Sequence, residues 1–339
     1  MKKAVLIGSL VLALLAVLAV LALNLNTGSA VSAAKNYDYF VVGNSNDVTT
    51  PTSYGLMLMG GGTDVDSAFQ WMIGKSGGGD FVVIRATGTD AYNPYIAGLG
   101  ALNSVETLII KNRTGANDPF VVNKIRNAEA VFIAGGDQWN YVNYWKDSQV
   151  EDAINYVANV RQVPVGGTSA GLAVLSQFMF SGKNGTITSA DALADPFNRR
   201  MTLDRNFLSL PLMGGIITDS HFVERDRMGR TVTFLARLIQ DGWATSPVKA
   251  IAVDSETAVI VEANGNASLR GNNTAYFLRT PGTPEVCQSR TPLTFNNLSV
   301  FRMSGAATFN LSSWSGSGGT TYTVSATNGA LASSTGTIY

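Results

Sequence analysis

VPVGGTSAGLAVLSQFMF, residues 163–180, is the stretch on which the reading of this chain turns. A short apolar run, Val163 to Val165, predicts the end of a buried strand. Residues 167–171 then spell G-T-S-A-G, which fits G-x-S-x-G, and Leu172 to Phe180 predict an apolar helix. Strand, tight turn and helix form the context that a nucleophile elbow requires. The turn would lift the Ser169 hydroxyl above the sheet, and its crowding favours residues with little or no side chain. The backbone N–H of Ala170, at the helix N-terminus, would face a developing oxyanion. The plainer reading of Ser169 is a helix N-cap.

The same grammar recurs upstream. YGLMLMGGG (54–62), DFVVIRA (80–86), VETLIIK (105–111) and AEAVFIAGG (128–136) are apolar strand-like runs. Helical spacing separates them, as in DVDSAFQWMIGK (64–75) and DAINYVANVR (152–161). Strands alternating with helices predict an α/β fold, a mostly parallel sheet flanked by helices. In such sheets ligands bind beyond the carboxyl ends of strands, and glycines gather there: Gly60–Gly62, Gly135–Gly136 and Gly166–Gly167. After Trp243 the pattern changes to antiparallel hairpins, AIAVDSETAVIVEANGNASLRG (250–271) and TAYFLR (274–279). From Arg290 the chain is rich in Ser, Thr, Gly and Asn but keeps strand-like alternation, so residues 290–339 predict a small β appendage to a catalytic domain spanning 34–289.

The chain has 339 residues, 45% hydrophobic and 14% charged, enough for a sizeable core. Its formal net charge is zero, so nothing suggests a nucleic-acid partner. One cysteine, Cys287, excludes an intramolecular disulfide and reads as structural. There is one histidine and no histidine pair or cysteine cluster, so neither a metal nor any other cofactor is expected. GGGTD (60–64) lacks the G-K-[ST] ending of a phosphate loop. Lys2 and Lys3 precede an apolar run to Leu23 and a small-residue stretch with a V-S-A site. Residues 1–33 thus predict a signal peptide cut after Ala33 and a secreted, periplasmic or cell-surface protein. If retained, the run would be an N-terminal membrane anchor.

A serine hydroxyl needs a base, and a histidine base can only be His221. It follows the apolar GGII (214–217), so it too is expected at a strand's carboxyl end, with an arginine-bearing helix after it. Arg225 would share its helical face, while Arg227 and Arg230 share another. Such arginines either form a solvated face balanced by Glu224 and Asp226 or recognise carboxylates.

GGTSAG (166–171), FIAGGDQ (132–138) and D-x-H-F-x-x-R-x-R-x-x-R (219–230) together resemble the serine peptidase family of cyanophycinases and dipeptidase E. GGGTD and IAVDSETAVIV (251–261) extend the resemblance over about residues 50–280, and the leader points to its extracellular, cyanophycinase-like branch. The resemblance implies a class I glutamine amidotransferase-like fold with Ser169 as nucleophile and His221 as base. It implies an oxyanion hole from the amides of Gly136 and Ala170. Gln138, Asp219, Arg225, Arg227 and Arg230 match positions lining the substrate pocket. The implied substrate is cyanophycin, a poly-aspartate backbone with arginine on each side chain, cut to β-Asp-Arg dipeptides. A homodimer is implied as well, although no interface pattern stands out in the sequence.

The chain departs from the family at Ser220, where cyanophycinases usually carry Gln, and in the 52 positions from Ser169 to His221, longer than in compact members. Besides Asp219 of the D-x-H-F motif, the acids in that interval are Asp191, Asp195 and Asp204. Asp191, after GTITSA (185–190), lies nearest the family's acid and is the expected third member; Asp195 before Pro196 looks like a turn residue. Three other readings remain. One is a dipeptidase-E-like enzyme acting on Asp-X peptides. Another is an α/β-hydrolase esterase, whose histidine usually lies much later in the chain. The last is a non-catalytic binding protein on the same fold.

Overall fold

The computed structural model describes residues 35–339; the expected leader, residues 1–33, lies outside them. Residues Asn36–Tyr339 form one compact unit. The first half of the chain comprises β1 (Tyr37–Gly43), β2 (Gly55–Met59), α1 (Asp66–Lys75), β3 (Asp80–Arg85), α2 (Tyr92–Ala97), β4 (Ser104–Ile110), α3 (Pro119–Asn127), β5 (Ala130–Ile133), α4 (Gln138–Trp145) and α5 (Gln149–Asn159). The middle holds β6 (Val165–Thr168), α6 (Ala170–Ala173), β7 (Phe178–Phe180), α7 (Ser189–Ala194), β8 (Leu203–Arg205), β9 (Ile216–Asp219) and α8 (Met228–Gln240). Strands follow to the end: β10 (Lys249–Val253), β11 (Thr257–Glu262), β12 (Asn266–Gly271), β13 (Ala275–Arg279), β14 (Phe295–Met303), β15 (Thr308–Asn310), β16 (Ser315–Ser317), β17 (Thr320–Thr327) and β18 (Ala330–Ser333). No helix among the described residues is long and apolar enough to cross a membrane.

The architecture is α/β, with the parallel strands at the centre of two mixed sheets. The first sheet runs β1-β4-β3-β5-β6-β2-β11-β12-β15-β16, and β4, β3, β5, β6 and β2 are parallel. The second runs β18-β17-β14-β13-β10-β9-β7-β8, parallel at β10, β9 and β7. Residues from Arg290 onward are continuous with both: β14 pairs along β13, and β15 along β12.

Strand alternation sorts side chains between layers. Leu56 and Leu58 of β2 face one core with the apolar side of α5, while Met57 and Met59 face another with Phe69 and Met72 of α1. In β10, Ile251 and Val253 join the core under the first sheet, and Ala250 and Ala252 pack towards α8. Each fully buried Leu, Ile or Met contributes about 1.5–3 kcal/mol from removal of apolar surface. The α5 helix shows the reason for its placement. Val150, Ala153, Ile154, Val157 and Ala158 form its buried stripe, and Glu151 and Asp152 sit in its first turn.

Register sets the carboxyl rim. Met59 pairs with Thr168, and Ile133 with Gly167, so the turns after β2, β5 and β6 leave by one edge. In the second sheet Asp219 pairs with Ala252, which brings the ends of β9 and β10 side by side. The two rims are tied where the His221 amide donates to Gly60 O at 2.9 Å and the Glu256 amide to Gly61 O at 2.7 Å.

Candidate active site

Ser169 sits at φ 53°, ψ −110°, between the end of β6 and the single turn of α6. Two glycines permit that turn. A Cβ on Gly171 would lie 2.0 Å from Ile133 O, and one on Gly167 would lie 2.6 Å from the Gly171 carbonyl carbon. The Ser169 amide donates to Met59 O at 3.0 Å, and its side chain makes no capping bond. The expected apolar helix to Phe180 does not form: α6 ends at Ala173 and β7 follows. A short apolar run is ambiguous between helix and strand. Here Ser176 breaks it, its hydroxyl bonding Phe178 O and Thr218.

His221 stands two residues beyond β9, at φ 45° and 7% exposed. Its Nε2 lies 2.9 Å from Ser169 Oγ. Gly61 closes over the pair; a Cβ there would fall 2.4 Å from the imidazole and 3.1 Å from Ser169 Cβ. The arginine-bearing helix begins only at Met228. Residues 222–226 are turns, so Arg225 shares no helical face with His221; its amide closes one turn on His221 O at 3.1 Å. On the far side of the ring, Nδ1 lies 2.9 Å from Ser255 Oγ and 3.4 Å from Glu224 Oε2, and the Ser255 hydroxyl bonds Glu224. Burial, and then the Arg225 charge, hold the imidazole below its ordinary pKa, against the opposing pull of Glu224.

Asp191 is not brought to this ring. It is exposed in the first turn of α7, where its amide is capped by Thr188. Asp195 accepts from the amides of Phe197 and Arg290, and Asp204 pairs with Lys146 at 2.7 Å. Asp219, the remaining acid of the interval, is taken up by Arg227, Arg230 and Thr231, so the interval supplies no acid to the ring. The partners come from after the histidine, through the tight 221–224 turn and the β10–β11 turn. Asp254 fixes the latter: one carboxylate oxygen takes the Val223 amide at 3.0 Å, the other the Thr274 amide and hydroxyl. Glu224 and Ser255 are the site residues that sequence reasoning missed. No sequence signal marked them, since Ser255 reaches His221 only because its strand lies beside the one that delivers the histidine.

Gly136, Gln138, Arg225, Arg227 and Arg230 line one cleft of about 460 Å³. It adjoins the pair, because a Cβ on neighbouring Gly135 would lie 3.6 Å from Ser169 Cβ. Among the described residues, the amides of Gly136 and Ala170 donate to no other group. Asp219 is not a lining residue. It is fully buried behind the cleft, bonded by Arg230 through two nitrogens, by Arg227 at 3.3 Å and by Thr231 at 2.8 Å. Burial pushes its carboxyl up, but the arginines outweigh that and hold it below the usual range. Ser220, where Gln was expected, is buried and bonded through its carbonyl and hydroxyl to Arg227. Arg227 and Arg230 are thus committed inside the protein, whereas the exposed Arg225 side chain has no partner among the described residues. A second cleft, of about 470 Å³, is lined by Gly62, Asp64, Asp66, Arg85, Tyr92 and Tyr95.

Fold and site together define a class: α/β proteins that hold a hydrogen-bonded serine and histidine at the carboxyl rim of parallel strands. Within that class the chain belongs to peptidase family S51, whose model matches residues 59–261. It is 27% identical over 212 residues to a cyanophycinase of Nostoc sp., covering 61% of this chain and 65% of that one. To a cyanophycinase of Geminocystis herdmanii it is 24% identical over 190 residues, covering 56% and 63%. The chain thus matches just under two thirds of the length of these relatives. A crystal structure of a peptidase from an acI-B1 Actinobacterium matches with TM-score 0.49 at 15% identity, over 75% of this chain and 98% of that one.

Proposed function

We propose that this protein is an exported serine-type exopeptidase that hydrolyses cyanophycin to β-Asp-Arg dipeptides through an acyl-enzyme. The observation that carries the reading is the 2.9 Å approach of Ser169 Oγ to His221 Nε2, beside a cleft that offers an unpaired guanidinium. Ser169 attacks the scissile carbonyl while His221 Nε2 takes the hydroxyl proton. The oxyanion forms against the amides of Gly136 and Ala170, each such donor contributing about 10²–10³ in rate. The imidazolium returns the proton to the leaving amine, and a water activated by the same ring releases the acyl group.

The substrate reading rests on charge. Every unit of cyanophycin brings a guanidinium and a carboxylate. Arg225 suits the carboxylate by bidentate pairing. Asp64 and Asp66 in the second cleft suit the guanidinium, although Arg85 lines the same cleft and lies over the Tyr92 ring. Export rests on the Lys2–Lys3 leader pattern and is tested by fractionating cells that express the full chain.

The deciding assay offers purified protein cyanophycin, Asp-X dipeptides and p-nitrophenyl esters, with Ser169→Ala as control. Dipeptide release from cyanophycin, lost in Ser169→Ala, is the expected result. Release that survives the substitution removes Ser169 as nucleophile. Turnover of Asp-X peptides alone replaces the substrate, and turnover of nothing makes the protein a binding module.

A further inference from the structure

We infer that Ser255 and Glu224 are positioning residues that together form the acid limb of the site, the Ser255 hydroxyl linking the imidazole of His221 to a carboxylate at the surface. The direction of the hydrogen-bond chain carries the inference. Glu224, held below the usual carboxylate range by its bonds to Ser255 and His221, is ionised and can only accept. The Ser255 proton must therefore point to Glu224 Oε2, which leaves the oxygen's lone pairs facing Nδ1 at 2.9 Å. Nδ1 must then carry the ring proton, and Nε2 is left as an acceptor 2.9 Å from Ser169 Oγ. The tautomer that general-base chemistry needs is assigned from this chain, two bonds away from the carboxylate that sets it.

The fold holds both links in place. Glu224 reaches back across the turn that begins at His221, and Ser255 leaves β10 next to the strand that delivers His221. Asp254 locks the two segments together through the Val223 amide. The other charges around the ring are Arg225 and Arg227 on its own segment, and Asp254 and Glu256 on the facing turn. Asp254 is engaged by Val223 and Thr274, and Glu256 bonds Thr63, so Glu224 is the acid in contact with the imidazole. The Glu224 side chain is 56% exposed, so solvent screens its charge. Its stabilisation of the imidazolium is accordingly weaker than that of a buried aspartate, whose replacement by asparagine costs about 10⁴ in kcat.

The inference deepens the peptidase reading and rests on it only for turnover, because His221 is the sole histidine and its ring can be followed without any substrate. The test is an NMR titration of that imidazole in the full chain and in Glu224→Gln, Ser255→Ala, Ser255→Thr and the Glu224→Gln/Ser255→Ala pair. Glu224→Gln should lower the ring's pKa by about half a unit. The same change should have a much smaller effect in the Ser255→Ala background, and Ser255→Thr should titrate like the parent. Where turnover is measured, Glu224→Gln should lower kcat about tenfold at unchanged KM, with the acid limb moved to lower pH. An unmoved pKa in Glu224→Gln, or an equal shift in both backgrounds, overturns the inference. Loss of all turnover in the parent bears on the peptidase reading alone.

Discussion

Ser169 and His221 share a hydrogen bond although they follow strands of different sheets, β6 and β9, and stand 52 positions apart. What holds them together is the glycine turn after β2. Gly60 O receives the His221 amide, Met59 O receives the Ser169 amide, and Gly61 packs against both side chains. Gly61 also has φ +102°, a conformation that L side chains rarely adopt. Gly61→Ala should therefore separate the pair and abolish hydrolysis. Far-ultraviolet circular dichroism should keep its α/β signature, and the unfolding midpoint should fall modestly, by what about 1–3 kcal/mol of strain delivers.

Asp219 governs the arginines rather than the substrate. With Asp219→Asn, two guanidinium groups, 5% and 12% exposed, lose their compensating charge. Breaking a buried pair this way costs about 3–5 kcal/mol. Urea unfolding should show a lowered midpoint with unchanged slope. In the parent, a carboxyl with a depressed folded pKa stabilises above its unfolded value near 3.8, and that contribution is lost as pH falls through the folded value.

Among the described residues that line the cleft, Arg225 has no partner, and on the proposed reading it meets a substrate carboxylate. Arg225→Gln should raise KM for an anionic peptide about tenfold, the loss of one charge-assisted pair. Turnover of a neutral p-nitrophenyl ester should hardly change. Equal losses on both substrates would place Arg225 in the catalytic step instead.

The His221 pKa is depressed, and on the proposed mechanism the ring must be neutral to act as base. The acid limb of kcat/KM should accordingly lie below the ordinary imidazole value of 6.5, and activity should persist into mildly acidic pH. Stability follows the same sign. The unfolded chain binds the extra proton more readily between the folded pKa and 6.5, so stability declines as pH drops through that window. A limb above 6.5 would contradict the burial-driven shift.

Much of the rim was legible in the sequence, because glycine clusters after apolar runs mark the carboxyl ends of parallel strands. That is how Ser169, His221, Gly136 and the cleft arginines could be named together. The acid limb was not legible, because it depends on which strands are neighbours. Ser255 reaches His221 only because β10 lies beside β9, and hydrophobic pattern does not encode that order. The role of Asp219 was hidden for a similar reason. Its motif places it near the arginines, but only packing shows that the carboxylate points into them and away from solvent. The lengths of the helices after Ser169 and His221 were misjudged because apolar and charged runs look alike in turns and in helices.

Hydrolysis as proposed requires a Ser169 hydroxyl made nucleophilic by His221. The most direct measurement is peptide mapping after treatment with a fluorophosphonate. A single adduct on Ser169, absent in His221→Ala, is the predicted outcome. An unmodified Ser169, or an adduct formed equally well without the imidazole, would contradict it.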